Sequence, residues 1–202
     1  QRCYQGNHRT ECTGCLKSEE RRFEMVVERQ TEIVFDHKFD RKRCRHILNG
    51  KVHVLHCHHY ATLYSRLADD CGMLDGKKLL AEVAEDTFTD LLSGYFKEHC
   101  IKNIADRIAI AEQYYAATGL GQMKVLCAGY ESGEVELLHS HLDEGWIKKW
   151  EKKENPVNFM TCGYIAAMFN AVFELPRRSF RVKEMEGIVT GAERSKFNVV
   201  AN

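Results

Sequence analysis

The chain has no excess of either charge, since 29 Lys and Arg residues balance 29 Asp and Glu over 202 residues. Neither sign is gathered in a tail. A broad electrostatic grip on nucleic acid is therefore not expected, and the one basic run, Arg41-Lys42-Arg43-Cys44-Arg45-His46, reads as a solvated loop. Long apolar runs are missing as well. The longest, Tyr164 to Phe173, is broken by Asn170 and is too short to span a bilayer, so no membrane partner is expected and a soluble, cytoplasmic protein is. The chain opens on Gln1 without an apolar leader, and Gln1 is not expected to be the natural start. There is no phosphate-cradling glycine loop, nucleophile elbow or H-E-x-x-H pair, and no internal repeat. Only two prolines occur, Pro156 and Pro176, and each closes a predicted helix.

Cysteine, by contrast, is plentiful. Nine residues spread from Cys3 to Cys162 lack the dense spacing of a secreted disulfide scaffold and point to a reducing setting. Cys71, Cys100 and Cys127 read as small apolar residues in packed elements. Near the start, Cys3, Cys12 and Cys15 surround His8. A single C-x2-C pair without a second is a weak metal signal; with Cys44 it allows zinc or an iron-sulfur cluster, against reduced thiols on an arm.

Histidine is concentrated in "VHVLHCHHY", residues 52 to 60. If the segment is helical, His53, His56, Cys57, Tyr60, Leu63, Tyr64, Leu67 and Cys71 share one face at three- and four-residue steps. If Asn49-Gly50 instead makes a tight turn, Lys51 to Leu55 is a strand and the helix starts later. Imidazole and thiolate suit zinc or iron, so a subset of His53, His56, Cys57, His58, His59, His139, His141 and Cys162 is a candidate metal set. His139 and His141 are expected two apart on the end of a strand. The plainer alternative has these groups hydrogen-bonding to backbone and water, and a thiolate nucleophile at Cys57 is a weaker one.

Downstream the periodicity is clear. Leu79, Leu80, Val83, Ala84, Thr87, Phe88, Leu91, Leu92, Tyr95 and Phe96 form a helical stripe capped by Asp75. A second helix runs from about Asn103 to the "TGLG" stretch, with Ile104, Ile108, Ala111 and Tyr115 inward. A hairpin follows, Met123 to Ala128 and Glu134 to Leu138, then a short helix ending at Pro156, a long helix ending at Pro176, and strands over 179–189 and 195–200. Together these predict an α+β domain: long helices packed on one face of a four-stranded antiparallel sheet. Residues 1–50 are read as a cysteine-containing extension and 51–202 as the ligand-binding domain.

Three stretches, "GLGQMKVL", "HSHLDEGW" and "NFMTCGYIAAMFNAVFELPRRSFRVKEMEGIVTGAERSKFNV", resemble the 4-vinyl reductase domain family over about residues 75–200. Proteins of that family are similar in fold to TRAPP vesicle-tethering subunits and include sensor domains of phenol-responsive activators. The resemblance implies a homodimer-forming module that encloses a small apolar or aromatic ligand, acting as a sensor or accessory protein. In zinc-bearing members a Glu and two Cys of the closing segment hold the ion. Here Glu184 stands at the Glu position, but Gly187 and Ser195 occupy the cysteine positions, so that site is expected to be absent. The expected pocket is lined by Tyr60, Leu63, Tyr64, Leu67, Phe88, Leu92, Tyr95, Tyr164 and Met168, with His56, Cys57 and His59 at its polar end. Two rival readings are a metalloenzyme with a His-ligated zinc or iron and a structural, dimerising subunit of a larger complex.

Overall fold

The structure, a computed structural model, describes residues 31–55 and 57–202. It opens with a small antiparallel sheet of β1 (His37–Asp40), β2 (Arg45–Leu48) and β3 (Lys51–His53). Asn49 and Gly50, with φ of 47° and 74°, turn β2 into β3 in the left-handed geometry of tight hairpins. Of the two sequence readings of residues 51 onward, the strand is therefore the one observed. This sheet runs across the residue-50 boundary expected between extension and domain.

The helices α1 (His58–Asp70), α2 (Gly76–Glu98) and α3 (Ile104–Ala117) come next, then β4 (Gly121–Ala128), β5 (Ser132–Ser140), α4 (His141–Trp150), α5 (Phe159–Phe173), β6 (Phe180–Glu186) and β7 (Ser195–Ala201). The second sheet is antiparallel throughout, in the order β4-β5-β7-β6. This is the α+β architecture that the change of period predicts. No helix among the described residues is long and apolar enough to cross a membrane.

Helix α5 is the centre of the core. Twelve of its fifteen residues are buried, as a helix apolar on all sides requires, because it packs against α2 and against the sheet. Asn170, which interrupts its apolar run, is fully buried and donates from Nδ2 to Glu85 Oε1 of α2 at 2.7 Å; the same oxygen accepts the Arg178 backbone N–H at 2.6 Å. The segment before β1 is tied down too: Ile33 N–H donates to Gln113 Oε1 (3.0 Å) and Val34 N–H to Tyr95 Oη (2.9 Å).

Several local expectations are revised. Asp75 takes a left-handed φ of 45° and makes no side-chain cap bond, whereas Asn103 does cap α3, accepting from Ala105 N–H at 2.8 Å. Leu79 and Val83, assigned to the buried stripe of α2, are exposed. Cys71 and Cys100 are exposed and Cys127 half-buried, because the first two sit in the turns that follow α1 and α2 instead of inside packed elements.

Candidate functional site

The histidine segment divides into two environments. His53, on β3, has both ring nitrogens engaged: its Nδ1 lies 3.0 Å from Lys51 O and its Nε2 3.3 Å from Tyr114 Oη of α3. With a carbonyl at Nδ1, the proton sits there, and Nε2 is left to accept from the tyrosine. Cys57 is exposed, and His58 and His59 open α1. His58 forms the centre of a small cluster, with the His59 ring 4.3 Å and the His141 ring 5.5 Å away. Partial burial and the nearby His58 hold the His141 imidazole below its usual pKa, against an opposing pull from Glu144. His58 Nε2 is itself buried with no hydrogen-bond partner among the described residues.

His139 and His141 do not share a strand face. Ser140 ends β5 and caps α4, its Oγ accepting from Asp143 N–H at 3.1 Å, so His141 is the first residue of a helix and His139 stays exposed on the strand. The signal is present in the sequence, since Ser140 followed by Asp143 and Glu144 is a helix-start pattern. Cys162 sits in the first turn of α5, where burial and the neighbouring Glu184 push its thiol pKa up. Among the described residues no three His, Cys, Asp or Glu side chains are placed to hold a metal ion. His56, Cys3, Cys12 and Cys15 lie outside the described residues.

The predicted pocket lining also splits. Leu92, Tyr95, Tyr164 and Met168 are buried in one core cluster, with half-buried Phe88 at its edge. Phe88 meets Tyr164 edge-on at 4.7 Å, and Tyr164 meets Tyr115 at 4.9 Å, arrangements that aromatic quadrupoles favour. Tyr164 Oη donates to Ala111 O at 2.6 Å and Tyr115 Oη pairs with Thr161 Oγ1 at 2.9 Å. Tyr60, Tyr64 and Leu67, however, are 57%, 43% and 51% exposed. They do not line an interior space of one protomer. The reason is that α1 packs with its small face inward: Thr62, Ser65 and Ala68 are buried, and a Cβ on Gly145 of α4 would stand 2.3 Å from Thr62 Oγ1. Bulky residues could not approach so closely. Ser65 Oγ, like His58 Nε2, is buried without a partner among the described residues.

A second polar centre lies where α4, α5, β6 and β7 meet, and of its members only Glu184 and Ser195 stand out in the sequence. Asn158 Nδ2 stands 2.7 Å from Asp143 Oδ2 and 2.7 Å from Glu184 Oε1, and the Asn158 backbone N–H donates to Glu184 Oε2 at 3.0 Å. Ser140 Oγ donates to Asn158 Oδ1 at 3.0 Å, and Ser195 Oγ to Asp143 Oδ2 at 3.0 Å. Val189 and Ile188 N–H groups complete the set, on Asp143 Oδ1 (3.1 Å) and Ser195 Oγ (3.0 Å). Asp143, Asn158 and Ser195 are fully buried. Desolvation pushes the Glu184 carboxyl up to about 8, with the Asn158 side chain pulling it down and Asp143 pushing it further up.

Two surface depressions lie apart from both centres: one of about 560 Å³ between the end of α2, the start of α3 and the end of α5, including Phe96, Cys100 and Arg107, and one of about 570 Å³ under the Gly72–Leu74 turn.

No family profile and no curated protein sequence matches the chain. Solved structures do. The phenol-responsive sensory domain of the transcription activator PoxR, in complex with phenol, superposes with a TM-score of 0.67 at 14% identity, covering 82% of this chain and 84% of that one. The chain has the fold of that sensory domain, the class that the C-terminal resemblance implies. More distant matches are a vinyl-4-reductase family protein from Methanocaldococcus jannaschii (TM-score 0.46, 17% identity, 71% of this chain and 77% of that one) and subunit 3 of a trafficking protein particle complex from Naegleria fowleri, covalently bound to palmitic acid (TM-score 0.48, 12% identity, 71% and 90%).

Proposed function

We propose that the chain is a small-molecule-binding module of the 4-vinyl reductase type, a sensor or accessory protein whose ligand is a small aromatic or apolar molecule carrying a hydroxyl, seated beneath α1. The observation that carries this reading is the pair of buried polar atoms on the inner face of α1, His58 Nε2 and Ser65 Oγ, that have no partner among the described residues. They are seven residues apart and so lie on one helix face. An unsatisfied buried polar group costs about 1–3 kcal/mol, which a ligand hydroxyl would recover by bonding to either of them. The fold shared with a phenol-responsive domain supports the ligand class.

The expected experiment is a thermal-shift titration with phenol and with hexanol. Ser65→Ala removes the orphan hydroxyl, so the free protein should melt higher by about 2–4 °C, while the stabilisation by phenol drops at least several-fold; His58→Ala should abolish it. Equal phenol stabilisation of all three proteins, or none in the wild type by either probe, contradicts the site.

The module is proposed to work as a homodimer through the outer face of α1. Tyr60, Tyr64 and Leu67 recur at helical spacing on α1 and are exposed, as are Leu79 and Val83 on α2, and exposed apolar side chains that share a helix face mark interaction surfaces. Light scattering should give twice the 23.3 kDa chain mass, and Leu67→Glu should return it to the monomer mass without loss of helicity. A wild type that runs as a monomer at micromolar concentration removes the dimer.

A second reading is favoured by the same His58: with His59 and His141 around it, its Nε2, unpartnered among the described residues, is a ligand of the type zinc or iron accepts. Elemental analysis of protein purified without a metal-affinity tag decides it. Stoichiometric metal lost on His58→Ala supports a metal sensor or metalloenzyme; no metal leaves the organic ligand.

A further inference from the structure

We propose that the Asn158 side-chain amide takes the structural place of a metal ion in this chain, joining the buried carboxyls of Asp143 and Glu184 and so fastening α4, α5, β6 and β7 together without a cofactor. The geometry is that of a bridging centre. Two carboxyl oxygens from different elements converge on one nitrogen at 2.7 Å each, and the two N–H bonds of an amide supply one proton to each. The amide oxygen accepts from Ser140 Oγ, so both polar atoms of the side chain are engaged. The groups around it are matched in turn: Asp143 accepts from Val189 N–H and Ser195 Oγ, and Ser195 Oγ accepts from Ile188 N–H.

The donor set does not fit zinc. The family's cysteine positions hold Gly187, which has no side chain to donate, and Ser195, whose hydroxyl is a far weaker zinc ligand than thiolate and already serves Asp143. A Cβ at position 187 would come within 3.1 Å of Glu184 Oε1, so a larger residue there would press on the carboxyl that Asn158 holds. The network thus accounts for why this chain keeps the Glu without the cysteines. Sequence separations of 15 and 26 residues make the amide a long-range staple, whose loss leaves two buried carboxyls facing one another with nothing between them.

The test is melting of untagged, full-chain protein with and without a strong chelator, alongside Asn158→Ala, Asn158→Asp and Ser195→Ala. The wild-type melting temperature should be unmoved by the chelator. Asn158→Ala should fall by about 10 °C or fail to fold, and the milder Ser195→Ala should fall by about 3–5 °C. Asn158→Asp, which gathers three carboxyls, should melt low in chelator and recover several degrees on adding zinc or calcium, a response the wild type lacks. The proposal is overturned if the wild type melts lower in chelator and holds stoichiometric metal that survives His58→Ala. It is equally overturned if Ser195→Ala and Asn158→Ala melt with the wild type. Because His58 tests the histidine cluster and Asn158 the network, failure of one leaves the other standing.

Discussion

Alanine at position 163 should lower the melting temperature by about 10 °C. Gly163 lies where α5 crosses α2, and a Cβ there would stand 2.0 Å from Ala81 O and 2.8 Å from the Ala84 Cβ. The first atom is helix backbone and cannot rotate away. Relief requires α5 to move off α2, and α5 carries Tyr164, Met168, Phe169 and Asn170, all buried in the core. Overpacking of this kind costs about 3 kcal/mol or more. Gly94, on the exposed side of α2 with nothing within 4 Å of its would-be Cβ, is the natural control: Gly94→Ala should raise stability by roughly 0.5–1 kcal/mol, as removing a helical glycine does. Thermal melts of the two variants should move in opposite directions.

The second large effect is on pH dependence. The Glu184 carboxyl titrates at about 8 in the folded protein against 4.5 for an ordinary glutamate, because burial disfavours its charged form. A carboxyl raised on folding binds its proton more tightly in the native state. Its contribution to stability is therefore complete below about pH 4.5 and is lost as pH rises through about 8. A tenfold difference in proton affinity between the folded and unfolded chain is worth about 1.4 kcal/mol, so several kcal/mol are at stake between about pH 5 and 9. Wild-type melting temperature should fall across that interval. Glu184→Gln, which cannot ionise, should melt lower at about pH 5, because its amide N–H₂ meets donors of Asn158, yet lose most of the slope. A Glu184→Gln profile parallel to the wild type would show that the carboxyl titrates normally.

The fold is legible where local signals and burial agree. The three- and four-residue apolar steps from Leu80 to Phe96, the Asn103 cap and the Asn49-Gly50 turn each specify their element by chemistry confined to a few residues. The face that a helix buries is less legible. Periodicity groups Tyr60, Tyr64 and Leu67 together, and the ordinary rule sends the larger apolar face inward. In α1 the small face wins, because Thr62 fits against Gly145 of α4, a fact about a partner helix more than eighty residues away in sequence. The polar network is illegible for a similar reason. Asp143 and Asn158 read singly as helix-start residues and Ser195 as a strand serine; only the sheet and α5 bring them to Glu184. His141 reads as a strand residue if the apolar run of β5 is extended past Ser140, although Ser140 and Asp143 carry a helix-start signal.

The proposed site beneath α1 is tested most directly by a backbone-amide NMR titration with phenol. A ligand seated there should give saturable shifts centred on Thr62 and Ser65 that vanish in His58→Ala, with little change at Phe96 or Arg107. Shifts confined to the depression around Phe96, Cys100 and Arg107, or unaltered by loss of the His58 imidazole, would contradict it.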